Sequence, residues 1–187
     1  MSKYSFLQKI VKFATRVYLC PTYEGLENIP KGGSFIFAGN HVHLLDPGPI
    51  MSVTNRNVHF LAKSSLFKFP KSLIFGNLGL IKVNRDGNDK KAYEEAIKYL
   101  KNGDIIGIYP EGTRERGKGV LPFKIGAVRM SYEANVPIIP FVSIGGHKPF
   151  KKGLIFRFGK PYKASKDIEK SNEELREIIK KLLDENN

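Results

Sequence analysis

The strand-like run Ser34–Ala38 empties into Gly39-Asn40-His41-Val42-His43-Leu44-Leu45-Asp46-Pro47, a turn that carries an imidazole and, five positions later, a carboxylate. A histidine acts as a general base near neutral pH when a carboxylate fixes its tautomer and stabilises the imidazolium that forms. His41 and Asp46 are the candidates for those two roles. Asp46 is the only carboxylate between Glu27 and Asp86, so no neighbour in sequence competes for its part. His43 lies two residues beyond the candidate base. A strand-to-helix turn aims alternate residues differently, so His43 reads as structural or gating.

Two further strand-like runs end in polar turns. Gly79-Leu80-Ile81-Lys82-Val83-Asn84-Arg85 closes on an arginine whose guanidinium could fork onto a phosphate. Ile105–Ile108 runs into Tyr109-Pro110-Glu111-Gly112-Thr113-Arg114, where Gly112 permits a tight turn and Thr113 and Arg114 offer donors to an anion. Each turn alone is an ordinary polar loop. The chain has no G-x-S-x-G elbow, phosphate-binding Walker loop, dinucleotide glycine fingerprint or cluster of metal ligands, and its one cysteine, Cys20, precedes all these turns. No residue is well placed as a covalent nucleophile, and no bound metal or cofactor is expected.

The order N-H-x-x-x-x-D, then G-x-I-x-x-x-R, then P-E-G-T-R, then Val136-Pro137-Ile138-Ile139-Pro140 resembles the four motif blocks of the glycerolipid acyltransferase family. The resemblance runs from about Tyr23 to about Pro161 and implies a fatty acyl transfer. The acyl group would pass from acyl-CoA or acyl carrier protein, each a substrate rather than a cofactor, to the free hydroxyl of 1-acylglycerol-3-phosphate, giving phosphatidic acid. Within it His41 matches the catalytic base and Asp46 its charge partner. Arg85, Glu111, Gly112, Thr113 and Arg114 match acceptor-binding positions, and Lys63 looks like the basic residue placed near the acceptor phosphate. Asn84 and Tyr109 depart from the family pattern, which often has an aromatic or acidic residue at the first position and Phe at the second. Glycerol-3-phosphate, another lysophospholipid or a lyso-aminolipid is the alternative acceptor, and a non-catalytic nucleic-acid-binding module is the alternative from another class. The ordered motifs argue against nucleic acid.

What must position these turns is an alternation of short apolar runs with longer helical segments. Ser34–Ala38, Val58–Ala62, Leu80–Val83, Ile105–Tyr109, Ile138–Ile144 and Leu154–Phe158 read as strands. A helix capped by Asp89 presents Ala92, Tyr93, Ala96, Ile97 and Leu100 on one side and stops at Gly103, and another opens at Ser171 with Glu174 completing a capping box. The pattern predicts a single α/β domain, residues 23–187, as a sandwich with a mainly parallel central sheet flanked by helices.

Residues 1–22 precede it as an N-terminal amphipathic helix with Phe6, Leu7, Ile10, Val11, Phe13, Ala14, Val17 and Tyr18 at helical spacing and four cations, without one acid. Such a helix suits a lipid interface, and the alternative is packing on the core. The chain carries 31 Lys and Arg against 18 Asp and Glu, a net charge of +13, and the stretches Pro47–Arg85 and Ala134–Lys166 contain no acid. A positive field of this kind seeks anionic partners. No run of about 18 apolar residues occurs and no signal-peptide pattern follows the first apolar stretch. The expectation is a peripheral protein on the cytoplasmic face of the cell membrane, with an anionic membrane surface as partner and no nucleic acid.

Overall fold

Strands whose side chains are buried on both sides need helices on both faces, and the sheet is built that way. The computed structural model describes residues 3–69, 76, 78–84, 89–114 and 119–185. Within them the strands are β1 (Thr22–Glu24), β2 (Phe35–Gly39), β3 (Val58–Lys63), β4 (Ile81–Val83), β5 (Ile105–Ile108), β6 (Ile138–Ile144) and β7 (Ile155–Phe158). They form one sheet in the order β1-β7-β6-β2-β5-β3-β4. β6, β2, β5, β3 and β4 run parallel, while β7 is antiparallel to β6 and carries β1 parallel to itself at the edge. The helices are α1 (Lys3–Leu19), α2 (Pro47–Ser52), α3 (Lys90–Lys101), α4 (Gly126–Ala134) and α5 (Ile168–Asp184).

Alternation along each strand separates two apolar layers. Ile36, Ala38, Ile106, Ile138 and Val142 meet α3, α4 and α5 on one face. Phe35, Phe37, Phe60, Ile139, Phe141, Phe156 and Phe158 form the other layer, closed by Leu19 of α1 and by Ile50 and Met51 of α2. The mainly parallel sandwich and all six expected strands are present. β1 is the strand that periodicity does not disclose: Thr-Tyr-Glu offers no apolar run, and Thr22–Glu24 is held by register with Ile155–Arg157 of β7. The C-terminal helix starts four positions earlier than its capping-box pattern suggests. Asp167 is its cap, accepting from Lys170 N at 3.0 Å, while Ser171 is buried inside the helix and its hydroxyl accepts from Ser165 N.

α1 sits on α2 through its polar side. Gln8 donates to the Arg56 carbonyl at 2.9 Å, Lys12 donates to the Thr54 carbonyl, and buried Thr15 fits against Gly48 in the first turn of α2. Leu7 and Val11 are half-buried, whereas Ile10, Phe13 and Val17 are 48%, 73% and 47% exposed. The Phe6 side chain lies outside the described residues. Among the described residues no helix is long and apolar enough to cross a membrane.

The fit of Thr15 on Gly48 leaves no room for a methyl group, since a Cβ on Gly48 would stand 2.4 Å from Thr15 Oγ1. Gly48→Ala is therefore expected to cost about 1–3 kcal/mol by overpacking. Adding Thr15→Ala should return part of that loss, a non-additivity read from denaturant melts of the two single variants and the double variant. Additive losses would show that α1 and α2 are not in close contact there.

Candidate active site

The site is built around one carboxylate. Asp46 precedes α2, whose first residue, Pro47, has no amide hydrogen to offer, and the Asp46 side chain caps nothing in that helix. It turns back into its own loop instead. Oδ2 accepts from Val42 N at 2.9 Å, from His43 N at 2.8 Å and from His41 Nδ1 at 2.9 Å. Oδ1 faces His147, from the loop after β6, whose Nε2 is 2.7 Å away in a short contact that is poorly aligned as a hydrogen bond. Asp46 is fully buried and His147 nearly so. Burial pushes the Asp46 carboxyl up, but His147, His41 and the His43 amide outweigh it, and the carboxyl is held below its ordinary value.

With its Nδ1–H committed to Asp46, His41 presents Nε2 as a lone-pair base, and among the described residues that nitrogen has no protein partner. The imidazole lies flat on Tyr109, ring centroids 4.0 Å apart and planes 16° apart. Tyr109 is wedged in turn between Phe60 and Phe141. Burial first, and the Asp46 charge second, keep the Tyr109 phenol protonated, and its hydroxyl is buried without a hydrogen-bond partner among the described residues. Beneath the imidazole a second clasp closes the loop: Asn40 Nδ2 donates to the Ser143 carbonyl at 3.1 Å while Ser143 N donates to Asn40 Oδ1 at 2.7 Å. The loop after β2 is thus tied twice to the end of β6.

His43 has a structural part, as its position on the turn suggests. Its ring stacks on His147 at 4.4 Å and its Nδ1 accepts from Leu45 N at 3.2 Å. Burial, then His147, Arg114 and His41, lower its proton affinity against an opposing pull from Asp46.

The acceptor-side candidates stand at the same edge. Gly112 has φ 68°, its amide closes a turn on the Tyr109 carbonyl at 3.0 Å, and buried Glu111 and exposed Thr113 and Arg114 flank it. Arg114 is close enough to His43 to act on it electrostatically. Lys63 is exposed at the end of β3, the strand next to β5. Arg85 lies outside the described residues. Two residues escape the motif reading. Lys124 lays its side chain over Gly112, where a Cβ would meet its Cε at 3.0 Å. His147 belongs to none of the motif blocks, and the signal that marks it is the same one that marks His41, a polar turn directly after a buried strand.

A parallel α/β sheet with a carboxylate-oriented imidazole at its carboxyl edge defines a protein equipped for base-assisted group transfer. The family model described as Acyltransferase matches residues 20–144, and the chain belongs to that family. It is 36% identical over 138 residues to a 1-acyl-sn-glycerol-3-phosphate acyltransferase of Borreliella burgdorferi, a match covering 72% of this chain and 55% of the relative. A 1-acyl-sn-glycerol-3-phosphate acyltransferase of Bacillus subtilis is 31% identical over 133 residues, covering 68% of this chain and 65% of the relative. The matched part thus spans between about half and two thirds of these curated relatives. The crystal structure of the 1-acyl-sn-glycerophosphate acyltransferase PlsC from Thermotoga maritima superimposes with a TM-score of 0.79 at 28% identity, covering 96% of this chain and 78% of that one.

Because the Asp46 carboxyl is held below its ordinary value of 3.8, its ionised form stabilises the fold. That contribution is complete above the unfolded-state value and disappears as pH falls through the lower folded-state value. Asp46→Asn should accordingly be less stable than wild type at neutral pH, with the gap narrowing as pH drops below about 4. Urea melts of the two proteins across that range check it. A gap that does not change with pH would mean that Asp46 is not ionised in the folded protein.

Proposed function

We propose that the chain is a 1-acylglycerol-3-phosphate O-acyltransferase that makes phosphatidic acid in phospholipid biosynthesis, and that it works at a membrane surface. The observation that carries the chemistry is the His41 imidazole, oriented through Nδ1 by a buried carboxylate and with Nε2 unengaged. His41 Nε2 takes the proton from the acceptor hydroxyl as its oxygen attacks the thioester carbonyl. Collapse of the tetrahedral intermediate breaks the carbon–sulfur bond, and the thiolate leaves with the proton that His41 returns. Asp46 stays ionised and stabilises the imidazolium between those steps. Arg114 and Lys63, with Arg85 by family correspondence, supply cations for the acceptor phosphate. The donor is an acyl thioester, carried on coenzyme A or on acyl carrier protein.

Two features of the surface support interfacial work. The apolar stripe of α1 points away from the domain, with Lys9 and Arg16 exposed beside it. Phe150, 69% exposed, extends the stripe: its ring meets Tyr18 edge-on at 5.4 Å and its amide donates to the Tyr18 carbonyl at 2.7 Å. Lys148, Lys151 and Lys152, all exposed, flank Phe150 in the sequence. Apolar tips ringed by cations match a bilayer containing anionic lipid.

His41→Ala should keep its fold and lose acyl transfer by roughly a hundred- to ten-thousandfold, the ordinary contribution of a positioned base. The assay is thiol release from an acyl thioester in the presence of 1-acylglycerol-3-phosphate. Turnover at the wild-type rate in the folded variant would refute the mechanism. For the membrane, Phe13→Ser with Phe150→Ser should reduce sedimentation with anionic vesicles by about tenfold or more without lowering the melting temperature, since both rings are solvent-exposed. Undiminished vesicle binding would remove this face as the docking surface.

A further inference from the structure

We propose that His147 is a positioning residue for the acyl transfer: its Nε2, 2.7 Å from Asp46 Oδ1, holds the carboxylate's second oxygen so that Oδ2 stays committed to His41 and to the Val42 and His43 amides. The inference rests on His41 acting as the base. Asp46 is wholly removed from water, and Oδ2 already has three donors while Oδ1 faces His147 alone among the described residues. A buried anionic oxygen with nothing to face is costly, and the carboxylate would answer by rotating or by taking up a proton. Either response loosens His41, because a rotated or protonated carboxyl no longer fixes the imidazole with its proton on Nδ1.

His147 is itself held. It is 4% exposed, it stacks on His43, and it follows Ser143, whose backbone is clasped by Asn40. The loop after β6 therefore reaches the base along two routes, one through Asn40 to the backbone and one through Asp46 to the ring. The titratable and charged groups acting on this cluster are His41 and His43 from the loop after β2, Tyr109 from the end of β5, Arg114 beyond it, and His147.

The test compares His147→Leu, which removes the donor, with His147→Gln, which keeps an N–H near the same place. For the Leu variant we expect kcat to fall about tenfold to a hundredfold, the usual loss when a group orienting an active residue is removed. The acceptor KM should stay within about twofold, since no substrate contact is lost. The acid limb of the kcat/KM profile should move to higher pH, because the carboxylate, relieved of the donor on Oδ1, holds a proton more tightly within the His41–Asp46 pair. The Gln variant should recover most of the rate and the wild-type acid limb. A packing role alone would leave the pH profile in place and make Gln as poor as Leu, and that result would overturn the proposal, as would wild-type kinetics in the folded Leu variant.

A measurement on the wild-type protein keeps the proposal testable even if neither variant folds. In histidine-labelled protein, nitrogen chemical shifts should place the His147 proton on Nε2 and the His41 proton on Nδ1 at neutral pH. A His147 carrying its proton only on Nδ1 cannot serve Asp46, and finding it would end the proposal. This readout is independent of turnover, so an inactive wild type would count against the proposed function and not against the link between His147 and Asp46.

Discussion

Taking a carboxylate fully out of water costs several kcal/mol, and the fold around Asp46 is arranged to offset that cost. Three donors converge on one oxygen and an imidazole stands against the other. Two of the three are backbone amides of the loop itself, so the loop cannot keep the carboxylate ionised without adopting the curve that aims His41. Electrostatics and geometry are here one constraint. The group that must be satisfied for the chain to fold is also the group that sets the tautomer of His41.

The sheet makes such an arrangement possible by putting loop ends side by side. In β6-β2-β5 all three strands run parallel, so the turns after Gly39, Ile108 and Ile144 open at one edge. Asn40 and Ser143 grip each other across the β2–β6 boundary, and His41 lies on Tyr109 across the β2–β5 boundary. The imidazole is thus held from two neighbouring strands as well as from its own loop. The flat contact with Tyr109 also restricts ring rotation about the Nδ1–Oδ2 bond, which a single hydrogen bond would allow.

How much of this the chain discloses in one dimension depends on how local each contact is. His41 and Asp46 lie five apart, so their partnership appears as a spacing. The parallel architecture appears too, because apolar runs four to seven residues long carry enough apolar side chains to be counted. The Asn40–Ser143 clasp joins residues 103 positions apart, and nothing in either segment announces the other. His147 is legible only as a polar residue after a strand, since its meaning comes from β6 being the neighbour of β2. β1 shows the same limit at the level of elements. Its three residues are a strand because β7 offers a register, and the Arg157–Glu24 ion pair at 2.7 Å helps hold that edge.

α1 answers a question that periodicity had left open. An amphipathic helix with an apolar stripe and four cations could turn either face to the domain, and the usual preference would bury the stripe. Here Gln8, Lys12 and Thr15 face inward beside Leu7, Val11 and Leu19, because the contact with α2 is a close one. Gly48 admits Thr15, and Gln8 and Lys12 donate to the Arg56 and Thr54 carbonyls between α2 and β3. Those carbonyls demand donors, and an apolar side chain could not supply them. Ile10, Phe13, Val17 and Tyr18 are left outward. Their direction is then tied through α2 to Asp46, the residue just before that helix, so the outward stripe and the loop that carries His41 keep a fixed orientation to each other.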